Sequence, residues 1–412
     1  MNVKSLYQKR NFHQVGSLYA SMMLSLILGL GINIINTRLL GPEQYGNLKF
    51  IQNLFNFVVP FLSLGFFTSG ARLVAQKKNE NIKFQIIGSL TIWALVISVI
   101  MILGFIAFSF FQNRLFHNNL NMTIRIFSPF LFVFPFMIFL EEAMYGDNRI
   151  FSLSFFKLLP LLGYFIIALL YHFYFTFSLK SAMMIQLGIY SVLVIIFVKL
   201  LKPRFTNIQS MFNIIKQENR NYGFHVYTGA LFGVATAQLA GIAIGFFRGN
   251  VNVGFYLLAL TSAMPLTMIP QAVAMTFFKD FTNQSAIPFK ATIATLFLST
   301  TALIVYLLII KKLFILLYSD RYLAAIPLSY IIAFGCYIHG FGDYINKFLG
   351  AHGKGREMRN GAFLVGLSNI LGYTLLVNKF GSTGAAATAV ISDSLYCYMM
   401  YYYYKKSKFV IC

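Results

Sequence analysis

The chain has 412 residues, of which 58% are apolar and only 11% are charged. A soluble globular domain carries about 25% charged residues, so this composition excludes one. Apolar runs long enough to cross a bilayer as a helix recur along the whole sequence. The formal charge of +22 accompanies no nucleic-acid-binding motif, and we attribute it to membrane topology and to attraction by anionic lipid.

Hydrophobic periodicity predicts an all-α polytopic membrane protein with about 12 transmembrane helices. The predicted spans are 17–39, 48–71, 86–110, 124–144, 152–173, 181–201, 223–247, 254–278, 289–310, 325–348, 360–378 and 384–404. With the N-terminus inside, roughly two thirds of the 33 Lys and Arg residues fall on the inner side. The sequence therefore predicts a multi-pass protein whose two termini are both cytoplasmic, with the first apolar run retained as a span.

Spans one and two carry more polar side chains than membrane anchoring needs. Each span has one face on which polar residues recur at helical spacing, and Gln52 lies beside the second face. These residues are Asn33 and Asn36 in span one, and Lys49, Asn53 and Asn56 in span two. Amides are costly in a bilayer unless they face another helix or a water-filled cavity. Bonding between helices and lining a cavity both remain open for them.

The longest connection, 202–222, separates spans six and seven. Phe205, Ile208, Met211, Phe212 and Ile215 recur there at helical spacing among basic residues. This pattern is typical of a helix lying in the cytoplasmic membrane interface, and a solvated linker is the alternative. Either interpretation predicts an N-terminal six-helix lobe at 1–201, a linker at 202–222 and a C-terminal six-helix lobe at 223–412.

The two predicted lobes share a glycine pattern. Gly41 and Gly46, between spans one and two, align with Gly249 and Gly254 between spans seven and eight at one constant offset. We expect each Gly-x₄-Gly to close the turn between its two spans. Because each lobe has an even number of spans, the repeats run parallel, which predicts a transporter with two lobes around a central cavity.

Carboxylates inside predicted spans are the strongest candidates for ion coupling. Asp343 and Lys347 are four residues apart in span ten, so they share a helix face and are expected to neutralise each other. Asp393 in span twelve has no partner in its own helix. We predict that Asp343, Lys347 and Asp393 lie close together. Asp393 either binds a coupling H⁺ or Na⁺ or forms an ion pair with Lys347.

Enzymatic and metal-binding patterns are not supported by the sequence. The three cysteines and six histidines form no CxxC and no HExxH motif, so neither a metal site nor another cofactor is predicted. The segment "GAHGKGRE" at 350–357 lacks the GK[ST] ending of a phosphate-binding loop. We therefore expect a protein that is not an enzyme and that draws on a gradient or on substrate flow.

Three segments carry a resemblance to a known family. "TRLLGPEQYGNLKF" (37–50), "GKGREMRNGAFLVGLSNILGYTLL" (353–376) and "KFGSTGAAATAV" (379–390) resemble the polysaccharide-transporter branch of the multidrug/oligosaccharidyl-lipid/polysaccharide exporter superfamily. The nearest likeness is to bacterial O-antigen flippases, and it extends over essentially the whole chain.

The resemblance implies that the protein turns an undecaprenyl-pyrophosphate-linked oligosaccharide from the inner to the outer leaflet of the bacterial plasma membrane, with other glycan-assembly proteins as further partners. In such proteins a cationic cavity accepts the pyrophosphate and the sugars. Related lipid II flippases carry Arg and Asp midway along span one, where this chain has Ile32 and Asn33. This departure shifts the expected phosphate contacts to other cations: Arg38, Lys49, Arg72, Arg248, Lys279 and Lys347.

Two alternative functions remain from the sequence. A multidrug or cation antiporter would share the fold, but the excess of cavity cations does not suit cationic substrates. A membrane glycan polymerase or ligase generally needs a long external loop, and the largest outer connection predicted here is only 311–324. A flippase, expected to serve O-antigen and lipopolysaccharide biosynthesis, is therefore the leading hypothesis, and the sequence leaves the polymer open between O-antigen, capsule and another glycan.

Overall fold

The computed structural model describes residues 3–77 and 79–407, and within these ranges all regular secondary structure is helical. Amphipathic and uniformly apolar runs both form helices here, because no backbone polar group can remain unpaired in hydrocarbon. The helices of the first part of the chain are α1 Val3–Ser63, α2 Phe66–Gln76, α3 Glu80–Phe116, α4 Asn121–Phe127, α5 Val133–Gly146, α6 Ile150–Tyr174, α7 Leu179–Leu201 and α8 Ile208–Glu218.

A π-helical turn, Asn219–Gly223, connects α8 to the second part of the chain. The helices that follow are α9 Phe224–Arg248, α10 Asn250–Ala263, α11 Pro265–Thr276, α12 Phe278–Phe281, α13 Phe289–Tyr318, α14 Ala325–Ala351 and α15 Gly355–Lys406. Helix α8 lies inside the predicted linker and buries Met211 and Ile215, two of the apolar positions that the periodicity selected.

Ten helical segments among the described residues are long and apolar enough to cross a membrane. Two of them contain one non-helical glycine each: Gly41 in α1 and Gly381 in α15. A boundary at each of these glycines divides the ten segments into the predicted twelve. The predicted all-α polytopic fold is confirmed, with the number of spans depending on how these two long helices are divided.

The glycine turns of the two repeats have the same backbone conformation. Gly41 has φ 70° and ψ 173°, and Gly249 has φ 83° and ψ 167°. A positive φ of this kind suits glycine, which has no Cβ. Gly46 and Gly254 are helical, however, so the expectation that both glycines of each pair close the turn is wrong. They serve close packing, since Gly254 approaches Gly46 so closely that an added Cβ would lie 3.0 Å from Gly46 Cα.

Contacts divide the chain into two compact units. The first contains the chain up to Leu40 and Val58–Thr228, and the second contains Gly41–Phe57 and the chain from Gly229 onward. In the first unit, Ile35, Tyr164 and Ala168 form a buried cluster. In the second, Phe281, Tyr344 and Phe348 pack around Ala274. The second unit contains α14 and the part of α15 beyond Gly381, which position the site described next.

Candidate functional site

Two carboxylates of the second unit lie against one histidine. His339 Nδ1 is 2.8 Å from Asp393 Oδ1, and His339 Nε2 is 3.7 Å from Asp343 Oδ2. His339 and Asp343 are one turn apart on α14, whereas Asp393 lies on α15. We call His339, Asp343, Asp393 and Tyr396 the carboxylate–histidine cluster. It joins two helices through side chains that change charge by taking up or losing a proton.

Two further side chains hold Asp343 in place. The Tyr396 hydroxyl donates to Asp343 Oδ1 at 2.9 Å, and Gln271 Nε2 of α11 donates to Asp343 Oδ2 at 3.3 Å. The Tyr396 ring also stacks on the His339 imidazole, with centroids 4.9 Å apart and an interplanar angle of 27°. Asp343 therefore accepts from neighbours on two helices besides facing His339.

Glycines on α14 bring α15 close enough for these contacts. A methyl group at Gly335 would lie 2.9 Å from Asp393 Oδ2, and one at Gly342 would lie 2.5 Å from the Tyr396 ring. Both glycines therefore occupy positions at which the side chains of α15 approach the backbone of α14. Small residues are the usual means by which membrane helices pack closely.

The arrangement can hold and exchange a proton. A protonated imidazole carries a positive charge that faces both carboxylates, with a hydrogen bond to Asp393 Oδ1 and an ion-pair contact across 3.7 Å to Asp343 Oδ2. Tyr256, Tyr373 and Cys336 are also within electrostatic range of Asp393. The side chains of His339, Asp343 and Asp393 retain 37%, 20% and 22% exposure, so none of the three is fully enclosed by the protein.

Among the residues that the structure describes, no group of three or more His, Cys, Asp and Glu side chains has the arrangement of a metal site. A tyrosine and a glutamine complete the surroundings of Asp343 as hydrogen-bond donors.

Two of the polar residues predicted in spans one and two form hydrogen bonds to neighbouring helices. Asn36 Oδ1 accepts from the Tyr164 hydroxyl of α6 at 2.6 Å. Asn53 Nδ2 donates to the Gln238 carbonyl of α9 at 2.6 Å. Both asparagines are buried, as is Asn33. The structure thus gives Asn36 and Asn53 partners on neighbouring helices, which is one of the two interpretations that the sequence left open.

Two of the candidate cations also have protein partners. Arg248 donates to the carbonyls of Asn378 and Lys379 at 3.0 and 3.1 Å, next to the non-helical Gly381. Cations at a helix C-terminus are favourable because they offset the negative end of the helix dipole. Arg72 donates to Glu218 at 2.7 Å.

The other predicted site residues are placed as follows. Arg38 and Asn56 are exposed, and Gln52, Lys49 and Lys347 are half-buried. The Lys49 ammonium lies 5.4 Å from the centroid of the Tyr45 ring. The side chain of Lys279 lies outside the described residues.

The expected ion pair between Asp343 and Lys347 is not formed. Asp343 is instead turned toward His339, Tyr396 and Gln271. The (i, i+4) spacing is the same on either side of Asp343, so spacing alone does not choose between His339 and Lys347. The packing of α15 decides between them, because Tyr396 and Asp393 of α15 contact the side of α14 that carries His339.

Sequence reasoning missed His339 and Tyr396. A signal for His339 was present, since it lies one helical turn before an intramembrane carboxylate in "HGFGD". Tyr396 follows Asp393 by three residues and so shares its helix face. Only the packing of α14 against α15 shows that these two faces meet.

Comparison with solved structures shows that a lipid flippase and multidrug transporters have a similar fold. A lipid II flippase, MurJ, in an inward closed conformation has a TM-score of 0.74 at 17% identity, over 94% of this chain and 87% of that one. An inward-facing multidrug resistance MATE family transporter has a TM-score of 0.72 at 14% identity, over 95% and 97%. The MATE multidrug transporter DinF-BH has a TM-score of 0.63 at 15% identity, over 96% of each chain.

The class of protein is thus a polytopic helical membrane protein with a transporter fold. A sequence profile described as "Polysaccharide biosynthesis protein" matches residues 12–280, which is most of the chain. The chain belongs to this polysaccharide biosynthesis family. No curated protein sequence matches it.

Proposed function

We propose that the protein is a flippase that moves an undecaprenyl-pyrophosphate-linked oligosaccharide, an O-antigen repeat unit or a similar glycan, from the inner to the outer leaflet of the bacterial plasma membrane. It works by alternating access, with both termini in the cytoplasm. The products feed lipopolysaccharide or related glycan assembly, and membrane lipids and other glycan-assembly proteins are its remaining partners.

The observation that carries this proposal is the combination of family and fold. The polysaccharide biosynthesis family match covers 12–280, and the solved structure with a TM-score of 0.74 is called a lipid II flippase. One function accounts for both the polysaccharide biosynthesis family and the fold shared with a lipid flippase. That function is translocation of a lipid-linked glycan.

The composition of the chain supports an anionic substrate. A pyrophosphate attracts Lys and Arg, which form charge-assisted hydrogen bonds with phosphate oxygens. Lys49 and Lys347 form no ion pair with a carboxylate in the part of the chain that the structure describes, and Arg38 is exposed. We assign the substrate phosphate to the predicted cations, which are Arg38, Lys49, Arg72, Arg248, Lys279 and Lys347, and the sugar hydroxyls to amides such as Asn56 and Gln52.

The proposed energy source is a proton gradient acting through Asp343 and Asp393. The carboxylate–histidine cluster supports this assignment, because uptake of one proton by His339 creates a positive charge that faces both carboxylates. Exchange of that proton with either side of the membrane then drives the transport cycle.

Gene deletion followed by lipid analysis tests the flippase assignment. Cells without the protein are expected to accumulate the lipid-linked repeat unit at the cytoplasmic face and to lose surface polymer, and a plasmid copy restores both. Deletion cells that accumulate no lipid-linked intermediate and still make surface polymer would exclude this function.

A multidrug antiporter is the second candidate, favoured by the MATE transporters that share the fold and by the paired carboxylates of the cluster. A dye-efflux assay with a cationic dye separates the two functions. The flippase proposal predicts no difference in efflux between cells with and without the protein. Efflux that follows expression of the protein supports the antiporter instead.

A further inference from the structure

A cavity in the first unit combines cations with aromatic walls. It has a volume of about 530 Å³ and is lined by Phe66 of α2 and Phe224 at the start of α9. Its polar lining comes from Asn213, Lys216 and Gln217 of α8 and from Asn219 and Arg220 of the π-helical turn. Cavities of about 300–1,000 Å³ are the usual size of small-molecule sites. None of these residues has a place in the proposed transport mechanism.

Helical spacing gathers the polar side chains on one face. Lys216 and Arg220 are four residues apart, and Asn213 and Gln217 share their side. Like charges at this spacing repel each other and destabilise a helix. In the described part of the chain neither cation pairs with a carboxylate, since the neighbouring Glu218 is held by Arg72 at 2.7 Å. An anion in the cavity would relieve this repulsion.

The side of α8 next to this polar face packs against the rest of the unit. Phe212 stacks on Phe66 at 5.7 Å between centroids, and Trp93 lies 4.6 Å from Phe66 and 5.6 Å from Phe212. Asn219, which also lines the cavity, is bonded to Ser69 Oγ at 3.0 Å and to the Leu64 carbonyl at 3.1 Å. These contacts attach α8 and the turn that follows it to α2 and α3 beside the cavity.

Exposed apolar side chains indicate which phosphate compound fits. Ile214, Tyr222 and Phe224 are exposed around α8. An amphipathic helix with such residues lies at the boundary between headgroups and acyl chains. Positive-inside counting places α8 at the cytoplasmic leaflet, where anionic lipids concentrate.

We propose that this cavity binds the phosphate of an anionic phospholipid of the inner leaflet, with Lys216 and Arg220 contacting the phosphate and the two amides contacting the headgroup hydroxyls. Bound lipid holds α8 at the membrane surface. Inorganic phosphate would offer similar oxygens to the two cations. It lacks the acyl chains that Phe66 and Phe224 would contact in a phospholipid. This site is independent of the flippase assignment.

Trp93 provides the measurement, because it is the single tryptophan of the chain and packs on a residue of the cavity wall. The full-length protein in neutral detergent is titrated with short-chain phosphatidylglycerol, with short-chain phosphatidylcholine and with inorganic phosphate, while Trp93 emission is recorded. We expect saturable binding of phosphatidylglycerol that is at least about tenfold tighter than binding of either other compound. Each favourable cation contributes about a factor of five.

The matched variants are Lys216→Gln/Arg220→Gln and a control, Lys199→Gln/Lys405→Gln, which removes the same charge from exposed positions elsewhere on the predicted cytoplasmic side. The first is expected to weaken phosphatidylglycerol binding about 25-fold, a factor of five for each cation, and the control to leave it unchanged. Equal binding of phosphatidylglycerol and phosphatidylcholine to the wild-type protein overturns the proposal. So does binding of inorganic phosphate as tight as that of phosphatidylglycerol. The wild-type comparison decides the question even if the double variant does not fold.

Discussion

The imidazole of His339 contacts two carboxylates that lie on different helices. A positive charge on His339 faces both Asp343 and Asp393. Tyr396 and Gln271 add hydrogen bonds to Asp343 from α15 and α11. At the scale of single residues, the proposed proton coupling depends on this cluster.

Replacing Asp393 with Asn tests this role. The change removes the charge that faces His339 Nδ1, and hydrogen bonds to charged groups contribute about 1.5–3 kcal/mol. We expect transport driven by an imposed pH gradient to fall at least about tenfold, measured with labelled lipid-linked oligosaccharide in proteoliposomes. Asp320→Asn, at an exposed position, is the control. An unchanged response of the Asp393 variant to proton and sodium gradients would exclude the coupling role.

Replacing Tyr164 with Phe tests whether Asn36 is structural. The variant removes the donor to the buried Asn36 Oδ1, and a buried acceptor without its donor costs about 1–3 kcal/mol. We expect a lower midpoint of thermal unfolding in detergent, with transport by the remaining folded protein unchanged. Tyr174→Phe, at a position that is 79% exposed, should shift neither. A normal midpoint with reduced transport would instead indicate that Asn36 contacts substrate.

At the scale of helices, glycines decide where two segments approach each other. Gly41 and Gly249 adopt the left-handed φ that opens the second helix of each repeat. Gly46 and Gly254, five residues later in each repeat, lie against one another inside the second unit. Gly241 and Gly245 of α9 leave room for the side chains of Asn53 and Phe50 on α1. The repeated glycine pattern therefore specifies both a turn and a contact.

A pair of Gly→Ala variants separates packing from helix propensity. At Gly46 the new methyl would overlap the Asn250 carbonyl oxygen, whereas at Gly29 no atom lies within 4 Å. We expect Gly46→Ala to lose about 1–3 kcal/mol by overpacking. Gly29→Ala should gain up to about 1 kcal/mol, because Ala favours the helix. Denaturation in mixed detergent measures both, and a stabilising Gly46→Ala would contradict the contact.

At the scale of the whole molecule, the distribution of charge determines orientation in the membrane. Basic residues concentrate at the termini, in the α8 region and in alternate connections, and this asymmetry predicts cytoplasmic termini. The same asymmetry predicts that α8 and its cavity lie at the inner leaflet, and the proposed lipid site depends on this prediction.

Cysteine accessibility tests this orientation. In a chain freed of its three natural cysteines, Ser210→Cys in α8 and Thr176→Cys between α6 and α7 both lie at exposed positions. A membrane-impermeant thiol reagent is expected to label Thr176→Cys in intact cells and Ser210→Cys only after permeabilisation. The reverse pattern would invert the topology and remove the basis for an inner-leaflet lipid site.

The sequence alone determined the fold class and the positions of most helices, because long apolar runs must form helices in a bilayer and glycine with positive φ marks their turns. It also selected Asp343 and Asp393, since ionisable groups inside spans are rare. It did not show their partners. The (i, i+4) spacing allowed Lys347 as well as His339, and only the packing of α15 on α14 chose the histidine. Likewise, the amides of Asn36 and Asn53 suited both a cavity and a helix contact, and only the structure shows that they bond to Tyr164 and to the Gln238 carbonyl on neighbouring helices. Periodicity records which face of a helix a residue occupies, and tertiary structure decides what that face meets.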